Sequence, residues 1–373
     1  MERLTLLLLA ALVAASPLLA QPTLVGEAPV AVFEAKKNLP HASVRIPALL
    51  RTKKGTLIAV AEAREKATDQ AGNDLVVATS KDDGVTWTKP RVAYDQGKDS
   101  CNNPCLVQDA RSGRVFLFFQ TFPAGAHEFG GLPAGPTDPK GTRCWHLVSD
   151  DEGATWSKPT DVSAALKPAN AVTVASGPGI GIQLVTGPKA NRLVIPFNSQ
   201  DSKRNFVNWV AFSDDAGKTW LRGAEIPQNG MQLNEVQVAE TDGGALYLNS
   251  RRWKGTALRK ASWSQDGGET WSPATDDVAL PEPTCQGSLL TIAAGKKPAV
   301  YFLNPAGKGR ANGTLRRSDD GGKTWAESTL LFPGPFAYSS MAPIKGGLGV
   351  LYEPNSSTAV LYRRVGLETA AGR

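Results

Sequence analysis

The chain of 373 residues carries 41 Lys and Arg against 35 Asp and Glu, a formal charge of +6, with 41% hydrophobic residues. The basic excess comes without a lysine-rich tract or an aromatic-basic ladder, which argues against nucleic acid as a partner and leaves a surface suited to an anionic ligand. The three histidines, His41, His127 and His146, stand in no ligand-spaced motif, so neither a metal nor a cofactor is implied.

Met1 to Ala20 begins with Arg3 near its start, continues in an apolar run from Leu4 to Val13 and ends in small residues before Gln21. This reads as a secretory signal peptide, with an apolar core too short for a permanent membrane anchor. No cysteine stands at the cleavage point to take a lipid, and no other long apolar segment is present. Residues 21–373 are therefore expected as a soluble, exported chain, secreted or periplasmic, folded as one domain.

Strand-like runs recur along that stretch: Thr56 to Ala61, Asp74 to Thr79, Arg114 to Phe119, Arg143 to Val148, Arg192 to Phe197, Asn208 to Phe212, Ala245 to Leu248, Ala299 to Leu303 and Leu348 to Tyr352. Gly and Pro mark the turns between them, and helical periodicity is nearly absent. Five times the pattern Ser-x-Asp-x-Gly-x-Thr-Trp appears, at Ser80–Trp87, Ser149–Trp156, Ser213–Trp220, Ser264–Trp271 and Ser318–Trp325. Its glycine supplies a backbone conformation closed to residues with a Cβ, Ser and Asp side chains accept hydrogen bonds from turn amides, and the indole lids the turn. A strand runs straight into each box, and starts spaced 51 to 69 residues apart suit propeller blades. The fold class is all-β, a six-bladed β-propeller. Identical chemistry at five symmetry-related places cannot build one asymmetric site, so the boxes specify fold rather than reaction.

Cys101 and Cys105 are spaced to close a small loop, and a disulfide between them is left open; Cys144 and Cys285 complete the set. Ser176-Gly-Pro-Gly-Ile-Gly lacks the βαβ surroundings and the spacing of a nucleotide loop. Asn312-Gly-Thr and Asn355-Ser-Ser fit a glycosylation sequon and carry no weight for function.

Outside the boxes, three arginines stand in distinctive contexts: Arg45 in Val-Arg-Ile-Pro, Arg251 in Leu-Asn-Ser-Arg, and Arg310 in Asn-Pro-Ala-Gly-Lys-Gly-Arg. Between or beyond them come Ala61-Glu-Ala-Arg64 with Asp69, Asn234-Glu235, Ala337-Tyr338 and Leu351-Tyr-Glu353. In wording and order these contexts, together with the Asp boxes, resemble the sialidase (neuraminidase) family of exo-glycosidases over essentially the whole exported chain. The resemblance implies a site at one end of the propeller axis that removes terminal sialic acid from glycans with retention, through a tyrosyl-enzyme intermediate.

Carried over residue by residue, the resemblance makes Arg45, Arg251 and Arg310 the triad that grips the sugar carboxylate, with Glu353 propping Arg45. Forked guanidinium donors that stay charged suit a planar carboxylate. Tyr338 takes the part of nucleophile and Glu235 of its base, Asp69 that of general acid/base, and Arg64 that of contact to a ring hydroxyl. A neutral phenol avoids the repulsion that a carboxylate nucleophile would meet from the substrate's own carboxylate. Asp74 is the rival to Asp69, set aside because it opens a strand. Val44 departs from the aromatic residue usual before the first arginine. The same residues would serve transfer or an internal anhydro product, and a non-catalytic Asp-box propeller that binds glycans is the reading from another class. No added lectin-like module is evident, which suggests a monomer acting on sialylated glycoproteins, glycolipids or oligosaccharides.

Overall fold

In a computed structural model, which describes residues 21–294, 297–354 and 357–367, the chain forms six sheets arranged as the blades of a propeller, antiparallel apart from Gly179–Ile180, which pairs parallel with Cys105 and Leu106. The signal peptide expected over Met1–Ala20 lies outside the described residues, as does Asn355 of the second sequon. Among the described residues helix is limited to one turn, Ser163–Leu166, and a three-residue 3-10 segment, Asp242–Gly244. Among the described residues no helix is long and apolar enough to cross a membrane.

Each blade opens with its innermost strand: Ser43–Arg51 in blade one, Ser100–Gln108 in blade two, Ala171–Ser176 in blade three, Leu233–Glu240 in blade four, Ser288–Ala294 in blade five and Ser339–Ile344 in blade six. The second strands run back beside them as Leu57–Arg64, Val115–Phe122, Leu193–Asp201, Leu246–Arg252, Lys297–Pro305 and Gly347–Tyr352. These strands read as near-continuous apolar runs because both faces are covered by neighbouring blades; Leu57–Arg64 is buried at every position. Blade six is completed from the other end of the chain. Its outer strand is Thr23–Glu34, paired antiparallel with Ala359–Gly366, and this closes the ring.

The five boxes connect the third strand to the fourth in blades one to five, and blade six has none because its fourth strand comes from the N-terminus. In the first box Ser80 Oγ donates to Asp82 Oδ1 at 2.7 Å and accepts from Gly84 N at 2.9 Å, while Asp82 accepts from Thr86 N at 2.9 Å and from Thr86 Oγ1 at 2.6 Å. The box glycine also faces the preceding blade. A Cβ on Gly84 (φ +84°) would lie 2.0 Å from Tyr362 of blade six, and one on Gly217 (φ +80°) 2.1 Å from Phe116 of blade two. Gly153, Gly268 and Gly322 meet Ile58, Val210 and Tyr247 of their preceding blades in the same way. A box therefore fastens one blade to the next as well as closing its own turn.

The four cysteines are free and buried, so the Cys101–Cys105 bridge left open from the sequence is not formed. A β-bulge between Asn102 and Cys105, with Asn103 at φ 52°, turns the two thiols into different cores: Cys101 packs between blades one and two, and Cys105 between blades two and three.

Candidate active site

A cavity of about 340 Å³ opens at the end of the ring where the innermost strands begin and the second strands finish. Seven of the eight residues singled out from the sequence line it: Arg45, Arg64, Asp69, Glu235, Arg251, Arg310 and Tyr338. The eighth, Glu353, is 1% exposed and sits behind Arg45.

Arg45 reaches the cavity because its strand bulges between Arg45 and Ala48. Ile46, a β-branched residue, is held at φ 59°, a conformation that needs outside support. Glu353 provides it: one carboxylate oxygen accepts from Ile46 N at 2.7 Å, and the other from Arg45 Nη2 at 2.8 Å and Nε at 3.3 Å. Blade two repeats this device. Asn103 N donates at 2.7 Å to Glu62, a fully buried residue whose second oxygen takes Arg64 Nη2 at 2.6 Å and Nε at 2.9 Å. Sequence reasoning missed the part played by Glu62. The available signal was the Asn102-Asn103-Pro104 run, which stands in blade two where Arg45-Ile46-Pro47 stands in blade one.

The three arginines of the triad meet around Tyr338. Arg251 Nη1 donates to Tyr338 Oη at 3.0 Å and to Glu235 Oε2 at 2.6 Å. The Arg45 guanidinium lies 5.0 Å and that of Arg310 5.3 Å from the Tyr338 ring centre. Tyr338 Oη in turn donates to Glu235 Oε1. Burial, reinforced by the Glu235 charge, pushes the Tyr338 phenol well above its ordinary range against the pull of Arg251 and Arg310. The phenol is therefore protonated and lies in contact with the Glu235 carboxyl. Several donors remain for a ligand: among the described residues Arg310 makes one hydrogen bond, from Nη2 to Thr284 O at 3.2 Å, Arg251 Nε has no partner, and Arg45 Nη1 approaches only Asp69, at 3.9 Å.

Asp69, with a side chain 62% exposed, sits on the connection after Arg64 and accepts from Arg64 Nη1 at 2.8 Å. Its carboxyl is partly desolvated, which would raise its pKa, but Arg64, Arg45 and Arg310 outweigh that and hold it below the usual range. The rival Asp74 lies outside the cavity lining and accepts from His41 Nε2 at 2.8 Å when that nitrogen carries the proton. Arg64 is 1% exposed, and its bonds to Glu62, Asp69 and Thr68 O leave little of the fork for a sugar hydroxyl. Its contact with Asp69 fixes that carboxylate at the cavity edge.

One wall comes from the 123–142 connection of blade two, which carried no motif. Glu128 faces the cavity with no hydrogen-bond partner among the described residues, and burial together with the charges of Asp69 and Glu235 raises its carboxyl to about 7 against the weaker pull of Arg251. Phe129 packs at 5.5 Å on Trp253 of blade four, with Arg204 over the Phe129 ring at 5.1 Å. Among the described residues no group of three or more His, Cys, Asp and Glu is placed to hold a metal.

The profile of the BNR repeat-like domain family matches residues 55–350, from just before the second strand of blade one to the second strand of blade six. A sialidase of Micromonospora viridifaciens is 30% identical over 344 residues, covering 88% of this chain and 52% of that protein. A sialidase of Bacteroides fragilis is 32% identical over 338 residues, covering 84% of the chain and 60% of the relative. Among solved structures, a Hadza microbial sialidase superposes with a TM-score of 0.81 at 28% identity, over 92% of this chain and 69% of that one. The chain spans between half and two thirds of the length of these two sequence relatives. With the repeat profile crossing all six blades and relatives of one kind aligned along most of its length, the chain belongs to the sialidase family of BNR-repeat proteins.

Proposed function

We propose that the protein is an exo-α-sialidase, a glycoside hydrolase that releases terminal sialic acid from glycans with net retention. The single observation that carries this reading is the contact of Tyr338 with both Glu235 and Arg251 inside a ring of three arginines. A cluster built only to bind a carboxylate needs the guanidiniums and has no use for a buried phenol bonded to a carboxylate.

In this mechanism the sugar carboxylate enters among Arg45, Arg251 and Arg310, which sets the anomeric carbon near Tyr338 Oη. The phenolic oxygen bonds to that carbon as Glu235 takes its proton. Asp69 gives a proton to the departing glycosidic oxygen. Water then attacks the same carbon, Asp69 taking its proton and Glu235 returning one to the phenol, so two displacements restore the configuration. Arg64, Arg45 and Arg310 keep Asp69 ionised until a sialoside arrives. An incoming carboxylate offsets the arginine field, raises the Asp69 pKa and so prepares it to be the acid. An exported enzyme acting on accessible glycan ends fits the leader read over Met1–Ala20.

Release of the fluorophore from a fluorogenic α-sialoside tests the reading. Arg310→Ala is expected to lose about 100-fold in kcat/KM, equivalent to ~2.7 kcal/mol, and Tyr338→Phe to lose more. Full activity in both variants would remove the roles given to Tyr338 and Arg310, and no release by the intact protein would leave the cavity as a binding site.

A further inference from the structure

Blade four passes to blade five through residues 282–287, a connection that carries no family motif yet touches Arg310, the strand of Arg251 and the surroundings of Tyr338. Glu282 is 1% exposed, and its carboxylate spans two elements: one oxygen accepts from Cys285 N at 2.7 Å, the other from Arg252 N at 3.1 Å, directly after Arg251. The turn it closes holds Thr284 at φ 60°, outside the range a β-branched residue prefers, and this aims Thr284 O at Arg310 Nη2, 3.2 Å away. Cys285 packs with Ile46, Ala337 and Tyr338, and its carbonyl accepts from the fully buried Arg259 at 2.8 Å. Gln286 then pairs its amide with the backbone of Ser339, receiving Ser339 N at 3.0 Å and donating to Ser339 O at 3.0 Å, the residue after Tyr338.

A flexible connection has no need of this hardware. Two side chains with their polar ends buried, one strained residue and a buried guanidinium fix six residues of coil against the backbone of Tyr338 and the side chain of Arg310. We propose that the Glu282–Gln286 turn is the positioning element of the site, with Gln286 setting the Tyr338 phenol and Glu282 setting Arg310 and the Arg251 strand. Neither side chain touches the reacting atoms. The physical basis is the steep dependence of covalent catalysis on placement, where an error of about 1 Å costs about 100-fold. The inference rests on Tyr338 as nucleophile.

The experiment follows inactivation by 2,3-difluorosialic acid, whose 3-fluorine slows breakdown of a glycosyl adduct, by intact mass and peptide mapping, beside steady-state kinetics and thermal melts. Gln286→Met removes both bonds to Ser339 at similar volume. It is expected to slow labelling of Tyr338 and kcat about tenfold or more, with KM within about threefold. Glu282→Gln puts an amide hydrogen against a backbone N–H, and is expected to raise KM about fivefold or more by loosening Arg310. Gln183→Met serves as control: Gln183 is likewise bonded to a neighbouring backbone, at Ala110 and Asn191, but lies away from the catalytic cavity. Its labelling rate should match the parent protein. Should Gln286→Met fail to fold, Gln286→Glu keeps the volume and the acceptor, loses the donor to Ser339 O, and is expected to slow labelling about threefold or more.

Labelling of a folded Gln286 variant at the parent rate overturns the inference, as does equal slowing in Gln183→Met. A parent protein that takes no label on Tyr338 defeats the nucleophile reading itself, and is told apart because it needs no variant.

Discussion

Tyr338 and Glu235 are held in contact by Arg251, and in the proposed mechanism that contact is what makes a protonated phenol usable as a nucleophile, with its base in place before the substrate arrives. Tyr338→Phe keeps the ring and its packing, so its kcat should fall by about 1000-fold or more with a melting temperature within a few degrees of the parent. Glu128 makes a different prediction. Its carboxyl sits near 7 in the folded protein, above the ordinary carboxylate value it regains on unfolding. Between those two values the folded state binds the extra proton, so rising pH costs stability, and the penalty is complete above about pH 7. Glu128→Gln removes it. The variant should gain more in melting temperature at pH 8 than at pH 5, and an equal gain at both would contradict the assigned environment. Glu353 lies at the opposite extreme, since it satisfies both the strained Ile46 amide and the Arg45 fork. Glu353→Ala leaves both without a partner and should cost about 3 kcal/mol in urea denaturation. At this scale the sequence revealed the charged core of the site through motif wording. It gave no hint of Glu128 or Trp253, because a cavity wall made by a loop and a strand end has no periodicity to read.

The strands and boxes were legible because each imposes a local rule: apolar runs for covered strands, and a Ser-Asp-Gly-Thr-Trp set for a hydrogen-bonded turn. The work of the boxes between blades was not legible, since it depends on which side chain of the previous blade meets the glycine. That contact separates two kinds of damage. Asp215→Ala removes acceptors for Thr219 N at 2.9 Å and Thr219 Oγ1 at 2.7 Å on an exposed turn, and should cost about 1–2 kcal/mol. Gly217→Ala drives a methyl into Phe116 of blade two from a positive-φ position, and should cost about 3 kcal/mol or more. Both variants should keep the parent KM, because the third box does not line the cavity. The bulges in blades one and two also escaped the sequence reading. A bulge shows itself by register, and register exists only once two strands have paired; the same fact turned Cys101 and Cys105 away from each other.

For the whole ring, the fold class came from five boxes and a chain long enough for one more blade, and the closing strand explains why that blade has no box. Thr23–Glu34 pairs with Ala359–Gly366 across nearly the full length of the sequence. Both lie in the blade whose first strand comes directly after Tyr338 and whose second precedes Glu353, so ring closure and the candidate site share an element. Deleting residues 21–34 would expose the edge of Ala359–Gly366, and the truncated chain should associate on size-exclusion chromatography and lose activity together with its melting transition. Residues of all six blades line one cavity, and the reaction proposed for it attacks a sialoside twice at one carbon. Proton NMR of the first minutes of turnover of an α-sialoside is the decisive measurement. Double displacement requires the α-anomer of free sialic acid to appear first and convert slowly to the β-anomer; β-anomer first, an anhydro sugar, or no turnover at all would contradict it.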